Sequence, residues 1–300
     1  RAFVAFCIAD SRVAGILPAS KTALEAYLAY LVVCGYHPHS VLAHLSAIRY
    51  QHQRLRVRWE HSERLLRTWT HTVQRVIAAP TRVARHVTVA DVHALLELPH
   101  LTLSQFQDVL MVALATVIAT RPNEVMALDA CDFLPGYPGD PEGSAAFRIK
   151  KRKNDQRGHG LLPRIARARS GPKDLVLRTK LLLRLTNRQR KPGCSKAQSP
   201  ATPCQACGRL FRPINPDMGS AFYPRYLARA IKETFKLAGR DATGLTGKSC
   251  RSGGITAGVS AGLSETVIYL QTGHCLGPIS AGRRYARLED RFALSTVFDL

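Results

Sequence analysis

Thr246-Gly247-Lys248-Ser249-Cys250-Arg251-Ser252-Gly253-Gly254, then Gly273-His274, then Arg283-Arg284-Tyr285-Ala286-Arg287: the reading of the whole chain turns on these three stretches. They gather an amine, a guanidinium, an imidazole and a phenol close together near the C-terminus. Lys248 and Arg251 are three residues apart, so a helix running from Ser249 places them on one face at its start, where an anion is favoured. Between Ser252 and Thr272 the apolar positions Ile255, Val259, Leu263, Val267, Ile268 and Leu270 predict two helices broken at Gly262, the second opening at Leu263-Ser264-Glu265. Tyr285 follows Pro278 on a further short helix. A phosphate suits such a set of side chains.

Upstream, Phe106 to Ala119 reads as a nearly all-apolar helix, suited to the centre of a domain and too short to span a membrane. It delivers Thr120-Arg121-Pro122-Asn123-Glu124. Pro122 is well placed at the first position of a helix, and Arg121 with Glu124 one turn on suits a phosphate clamp steadied by a carboxylate. Thr88-Val89-Ala90-Asp91 opens a helix through Leu98. From Ala145 the period changes to two: Ala146 to Lys150 and Gly160 to Pro163 predict a β-hairpin joined by Lys151 to Gly158. Gly219 to Ala238 reads as an amphipathic helix.

These stretches, in this order, resemble the tyrosine recombinase (phage integrase) family. Arg121, Glu124, Leu128 and Asp132 match its first arginine motif. Lys248-x-x-Arg251, Gly273-His274 and Tyr285 match its C-terminal motifs, and Lys153-Asn154-Asp155-Gln156 resembles the hairpin lysine stretch of some members. The wording of Arg251-Ser-Gly-Gly-Ile-Thr-Ala-Gly and Arg284-Tyr285-Ala-Arg is most similar to recombinases of eukaryotic mobile elements of the DIRS and Crypton type.

The resemblance implies an α+β fold, mainly α with a small β-sheet. Residues 1–80 would be a helical core-binding (SAM-like) DNA-binding domain, and 81–300 the catalytic domain, carrying a Cys-containing insertion around 192–216. It implies a site-specific recombinase or integrase that integrates or excises a mobile element. Tyr285 would attack phosphorus to give a 3′-phosphotyrosine and release a 5′-hydroxyl. Arg121 and Arg251 would hold the non-bridging oxygens, His274 would donate to the same phosphate, and Lys153 would protonate the leaving oxygen. Lys150 and Lys151 compete with Lys153 for that role, because hairpin register is weakly specified. Lys248 stands where most members have His; a lysine acts as a base only where cationic neighbours favour its neutral form. The chemistry conserves bond energy in the phosphotyrosine and requires no cofactor. The implied partner is double-stranded DNA, two duplexes being held by a homotetramer. The departures at Lys248, in the insertion, and in the spacing from His274 to Tyr285 keep open a DNA-binding descendant that has lost cleavage. A type IB topoisomerase-like activity shares the residue set, and charge alone would permit an RNA- or chromatin-binding protein.

The charge balance points the same way. Lys and Arg number 43 against 21 Asp and Glu, a net charge of +22, so a polyanion is the natural partner. From Phe147 to Lys191 sixteen residues are basic and two acidic. Arg49, Arg54, Lys150, Lys151, Arg152, Arg283 and Arg284 are candidate DNA contacts. No apolar run is long enough for a membrane span and no cleavable signal peptide is evident. An intracellular protein associated with DNA is expected, in the nucleus if eukaryotic and in the nucleoid or cytoplasm if bacterial.

In the first 80 residues, Ser20 to Gly35, a segment capped by His39-Ser40, and Ser62 to Ala79 read as helices. Their polar faces carry Arg49, His52, Arg54, Arg64, Arg67, His71 and Arg75. The eight Cys are unevenly spread, which fits a reducing compartment better than a disulfide framework. Cys204-Gln-Ala-Cys207 is half a zinc site by spacing. Cys194 and an unidentified fourth ligand would complete a structural zinc; no second CxxC or HxxxH is present.

Overall fold

The computed structural model describes residues 2–10, 16–77, 85–150, 162–167, 171–188, 194, 203–214, 225–272 and 293–298. They fall into two compact units, Arg1–Val83 and Ala84–Leu300.

The first unit is helical: α1 (Ala2–Ala9), α2 (Lys21–Val33), α3 (Pro38–Arg54) and α4 (Glu63–Val76). Ser20 and Ser62 cap α2 and α4, each accepting from the amide three residues on. Gly35 ends the α2 turn at φ +75°, a conformation that costs glycine nothing. The start of α3 differs from expectation. Its cap is His37, whose Nδ1 accepts from His39 N at 3.3 Å, because Pro38 has the φ of a first helical residue and no N–H to leave unpaired. Leu24, Tyr27, Leu31, Val41, Leu45, Ile48, Leu66, Trp69 and Val73 form the core.

His52 also differs. It lies in that core rather than on the basic face: Nε2 accepts from Ala19 N at 2.9 Å, and Nδ1 faces Ile48 O at 2.8 Å. A buried imidazole satisfied at both nitrogens is a packing group. The opposite side of α4 does carry exposed Arg64, Arg67, His71 and Arg75 in one stripe, because Leu66, Trp69 and Val73 take the inner face.

The second unit is built on α6 (Leu103–Val117), whose residues from Val109 to Val117 are all buried. A helix apolar all round needs cover on every side. α5 (Val89–Leu96), α8 (Leu175–Leu185), α9 (Tyr226–Leu237) and α10 (Ser249–Ser260) supply it. α6 begins earlier than expected because Thr102 and Gln105 form a reciprocal capping box, as Thr88 and Asp91 do for α5. The helix α8 was hidden by the charge of its sequence: Leu175, Val176, Thr179, Leu182 and Leu183 recur at helical spacing beneath Arg178, Lys180 and Arg184. α7 (Pro122–Met126) follows α6, and α11 (Glu265–Thr272) follows α10 after the break at Gly262.

The fold class is thus mainly α with a small β-sheet. The sheet is antiparallel, in the order β1 (Phe133–Pro135), β2 (Ala145–Phe147), β3 (Arg164–Ile165). β1 was not anticipated; of the strand expected at 160–163 only residues 162 and 163 are described, and they lead into β3, with Ala145 opposite Ile165 and Ala146 opposite Arg164. Arg164 there fixes the register by a charged contact, donating from Nε to Asp140 Oδ2 at 2.7 Å. A closing helix, Ala293–Val297, packs on α10, α11 and β3 and buries Leu294 and Phe298 within its own unit. The described residues contain no helix long and apolar enough to cross a membrane.

Candidate active site

Past the end of α6 the chain turns sharply. Ala119 takes a left-handed φ of +47°, a costly conformation for a residue with a Cβ. This turn leads into Arg121, the N-cap of α7, with Pro122 at the first helical position. Glu124 then folds back. Its Oε2 accepts from Arg121 N at 2.9 Å and its Oε1 from Arg121 Nη1 at 2.9 Å, so one carboxylate fixes both the cap and the guanidinium. Glu124 is buried while the Arg121 side chain remains 28% exposed, leaving the arginine within reach of an external anion.

Arg251 comes to the same carboxylate from α10. Its Nη1 donates to Ala119 O at 2.8 Å and lies 3.8 Å from Glu124 Oε2, and its Nη2 donates to Thr272 O at 3.0 Å, at the end of α11. The guanidinium therefore ties together the ends of α6 and α11 and faces the Arg121–Glu124 pair. Two guanidiniums on one carboxylate leave the cluster one positive charge in excess, a suitable cradle for a phosphate oxygen.

Close packing of α10 brings Arg251 there. A Cβ on Gly253 would stand 2.1 Å from Val87 O, and one on Gly254 would stand 2.2 Å from Thr116 O. Both distances are far inside contact, so only glycine lets the helix lie against α6 and residue 87. Ser249 O accepts from Val87 N at 3.1 Å along the same seam. Cys250 between them is fully buried, and burial pushes its thiol up to about 12, which removes it as a nucleophile. Lys248, the N-cap of α10, is exposed.

Of the residues singled out in the sequence, the structure thus brings Arg121, Glu124 and Arg251 together and leaves Lys248 exposed at the mouth of α10. Lys151, Arg152, Lys153, His274, Arg283, Arg284 and Tyr285 lie outside the described residues. In the first unit Arg54 is exposed and Arg49 is paired with Glu63.

Lys150 requires a correction. Expected as a DNA contact and as a competitor for the hairpin lysine, it is turned inward, its ammonium paired with Asp129 and, at 3.1 Å, with Asp132. Arg209 Nη1 joins Asp129 from the other side at 3.1 Å. Burial pushes the Asp132 carboxyl up, with Lys150 pulling against it; the lysine is itself pulled down by burial but raised overall by its two carboxylates. A buried ammonium between two carboxylates is structural. Other members of the basic stretch are similarly occupied: Arg164 with Asp140, Arg178 on Leu96 O, Lys173 with Glu97, and Arg188 donating to Gln107 Oε1 at 2.8 Å and to Leu210 O. The charge available to a polyanion is smaller than the residue count suggested.

Sequence reasoning missed the carbonyls of Ala119 and Thr272, the two glycine contacts, Asp129, and the pairing of Asp132 with Lys150. Only the Gly253-Gly254 pair was a signal in the sequence, since adjacent glycines inside a predicted helix ask for a close neighbour.

Neither a protein-family model nor a curated protein sequence matches the chain. Among solved structures, it is similar to the pre-cleavage complex of XerH site-specific recombinase bound to difH substrate: 16% identity over 68% of this chain and 50% of that one, TM-score 0.43. The post-cleavage complex of the same recombinase on palindromic difH gives 15% identity, 72% and 50% coverage, and TM-score 0.42. A FLP recombinase–Holliday junction complex gives 11% identity over 78% of this chain and 58% of that one, TM-score 0.45. The chain spans about half the length of the XerH chains it matches.

Proposed function

We propose that this chain breaks and rejoins DNA as a tyrosine recombinase. The observation that carries the reading is the convergence of Arg121 and Arg251 on Glu124, from two elements far apart in the sequence. Their order along the chain relative to Tyr285 is the one that the resemblance to tyrosine recombinases implies. A phosphodiester seated on the two guanidiniums has its charge neutralised, which makes phosphorus more electrophilic, and the same charges favour the phenolate of an approaching tyrosine.

In the proposed step the Tyr285 oxygen forms a bond to phosphorus and the bond from phosphorus to the 5′-oxygen breaks. The phenol proton leaves to a base or solvent, and the departing 5′-oxygen takes a proton from Lys153. His274, two residues past the Thr272 carbonyl that Arg251 holds, would donate to a non-bridging oxygen. Attack by a 5′-hydroxyl of a second duplex reverses the step and completes strand exchange. Lys248 would contact the phosphate or the adjoining backbone. The stripe of Arg64, Arg67, His71 and Arg75 on α4 suits sequence-independent contact with DNA phosphates. Integration or excision of a mobile element, with four protomers on two duplexes, would be the working context.

The test is a covalent trap. The protein and a Tyr285→Phe variant are incubated with nicked suicide duplexes, without added metal, and resolved in SDS. An adduct formed only by the tyrosine-bearing protein supports the proposal. Salt-dependent binding with no adduct on any substrate overturns cleavage and leaves a DNA-binding protein. Relaxation of supercoiled plasmid without strand exchange would instead assign a topoisomerase.

A further inference from the structure

We propose that Cys131, Cys194, Cys204 and Cys207 form a tetrathiolate site for one zinc ion, and that the ion clamps the Cys-bearing insertion to the turn before β1. All four sulfurs lie within 4.8 Å of one another, and those of Cys194 and Cys204 are 3.7 Å apart. A tetrahedral ion with zinc–sulfur bonds of about 2.3 Å holds its sulfurs about 3.8 Å apart, so the cluster needs only a slight contraction to take one.

The fourth ligand was invisible in the spacing because it comes from another part of the chain. Residues 128–130 run beside residues 208–210. Leu210 N donates to Leu128 O at 2.8 Å, Ala130 N donates to Gly208 O at 3.0 Å, and Asp129 and Arg209 form an antiparallel bridge. This pairing carries Cys131, in the 3-10 turn Ala130–Asp132, against the loop of Cys204 and Cys207. The loop itself has the form of a metal knuckle. Gly208 N donates to Cys204 O at 2.7 Å, Gly208 has φ +69°, and the amides of Ala206 and Cys207 point to the Cys204 sulfur. Amides aimed at a sulfur stabilise a thiolate bound to metal.

The donor set selects the ion. Four thiolates in tetrahedral array suit zinc or a single iron, and oxygen-seeking divalent ions are disfavoured. Cys131, Cys204 and Cys207 are buried and their elements are packed, as a closed structural site requires. Residues 203–214 contain tight turns and one isolated bridge, with little periodic structure to hold them otherwise. The ion has no part in the proposed cleavage chemistry, so the two proposals stand or fall separately.

The experiment measures metal in the full chain purified without chelator, by mass spectrometry of the elements, beside a count of thiols titrated in denaturant without reductant. The expected result is one zinc per chain, released when four thiols are modified, and a tetrathiolate absorption spectrum after replacement by cobalt. Cys131→Ser should lower zinc well below one per chain and speed proteolysis within 203–214, whereas Cys250→Ser, at a buried cysteine outside the cluster, should leave both unchanged. Metal-free protein as isolated, which also takes up no zinc or cobalt, overturns the site. So does a thiol count that shows disulfides among the four, or full zinc retention by Cys131→Ser. Iron with a visible thiolate charge-transfer colour overturns the assignment to zinc. If Cys131→Ser does not fold, the metal content and thiol protection of the unaltered chain still decide the matter.

Discussion

Glu124 Oε2 lies 3.8 Å from Arg251 Nη1 while Glu124 Oε1 accepts from Arg121 Nη1 at 2.9 Å. A single carboxylate thus separates two guanidiniums that would otherwise repel one another, and sets the distance between them. Glu124→Gln keeps the shape but removes the charge. On the proposed function, the expected outcome is a loss of about a hundredfold in single-turnover cleavage, the scale associated with a misplacement of about 1 Å in a reacting group. Binding to duplex DNA should hardly change, because the added positive charge offsets the lost order. Weaker binding in step with cleavage would count against a positioning role.

Gly253 has the backbone oxygen of Val87 where a side chain would go. Gly253→Ala forces α10 away from residue 87 and carries Arg251 with it. A destabilisation of about 3 kcal/mol or more is expected, at the upper end for overpacking, because a backbone atom cannot move aside as a side chain can. Gly262→Ala provides the contrast: it meets nothing within 4 Å and suffers only from its φ of +76°, so its cost should be smaller. Urea denaturation of the three proteins checks the ranking.

Lys150 neutralises Asp129 and Asp132 in the interior. Lys150→Met should cost about 3–5 kcal/mol, the range for removing one partner of a buried ion pair. The same change at an exposed lysine that contacts DNA would leave stability intact and reduce the salt dependence of binding. The two outcomes separate a structural role from a DNA contact.

Asp108 accepts from Tyr226 Oη at 3.0 Å. Burial raises its carboxyl to about 6, despite the opposing pull of the Tyr226 hydrogen bond and of Arg229. A folded-state value above the unfolded one means that the native state holds the proton more tightly. The contribution of Asp108 to stability is therefore full below about pH 4 and lost as pH rises through about 6, with a slope of at most about 1.4 kcal/mol per pH unit. Denaturation of the wild type and of Asp108→Asn from pH 4 to 8 should show curves that converge at the acid end. They should separate between about pH 4 and 6 and keep a constant gap above that, with the variant the more stable. Parallel curves would remove this assignment.

Local pattern made much of the architecture legible. Helical spacing marked α2, α5, α6, α10 and α11, Pro122 marked the start of α7, and Gly262 marked a break, because each depends on residues within a few positions of one another. The types and order of the candidate site residues, with Arg121 and Glu124 one turn apart, were equally plain. What the local pattern could not carry were contacts between distant segments. Whether Lys150 faces DNA or Asp129, whether His52 faces solvent or Ala19, and whether Cys204 and Cys207 find a fourth thiol all depend on which segment comes to lie alongside. Tertiary packing decided them, in the first unit through the contact of α3 with the segment before α2, and in the second through the pairing of residues 128–130 with 208–210, because the energy of a buried charge, imidazole or thiol is set by its neighbours in space.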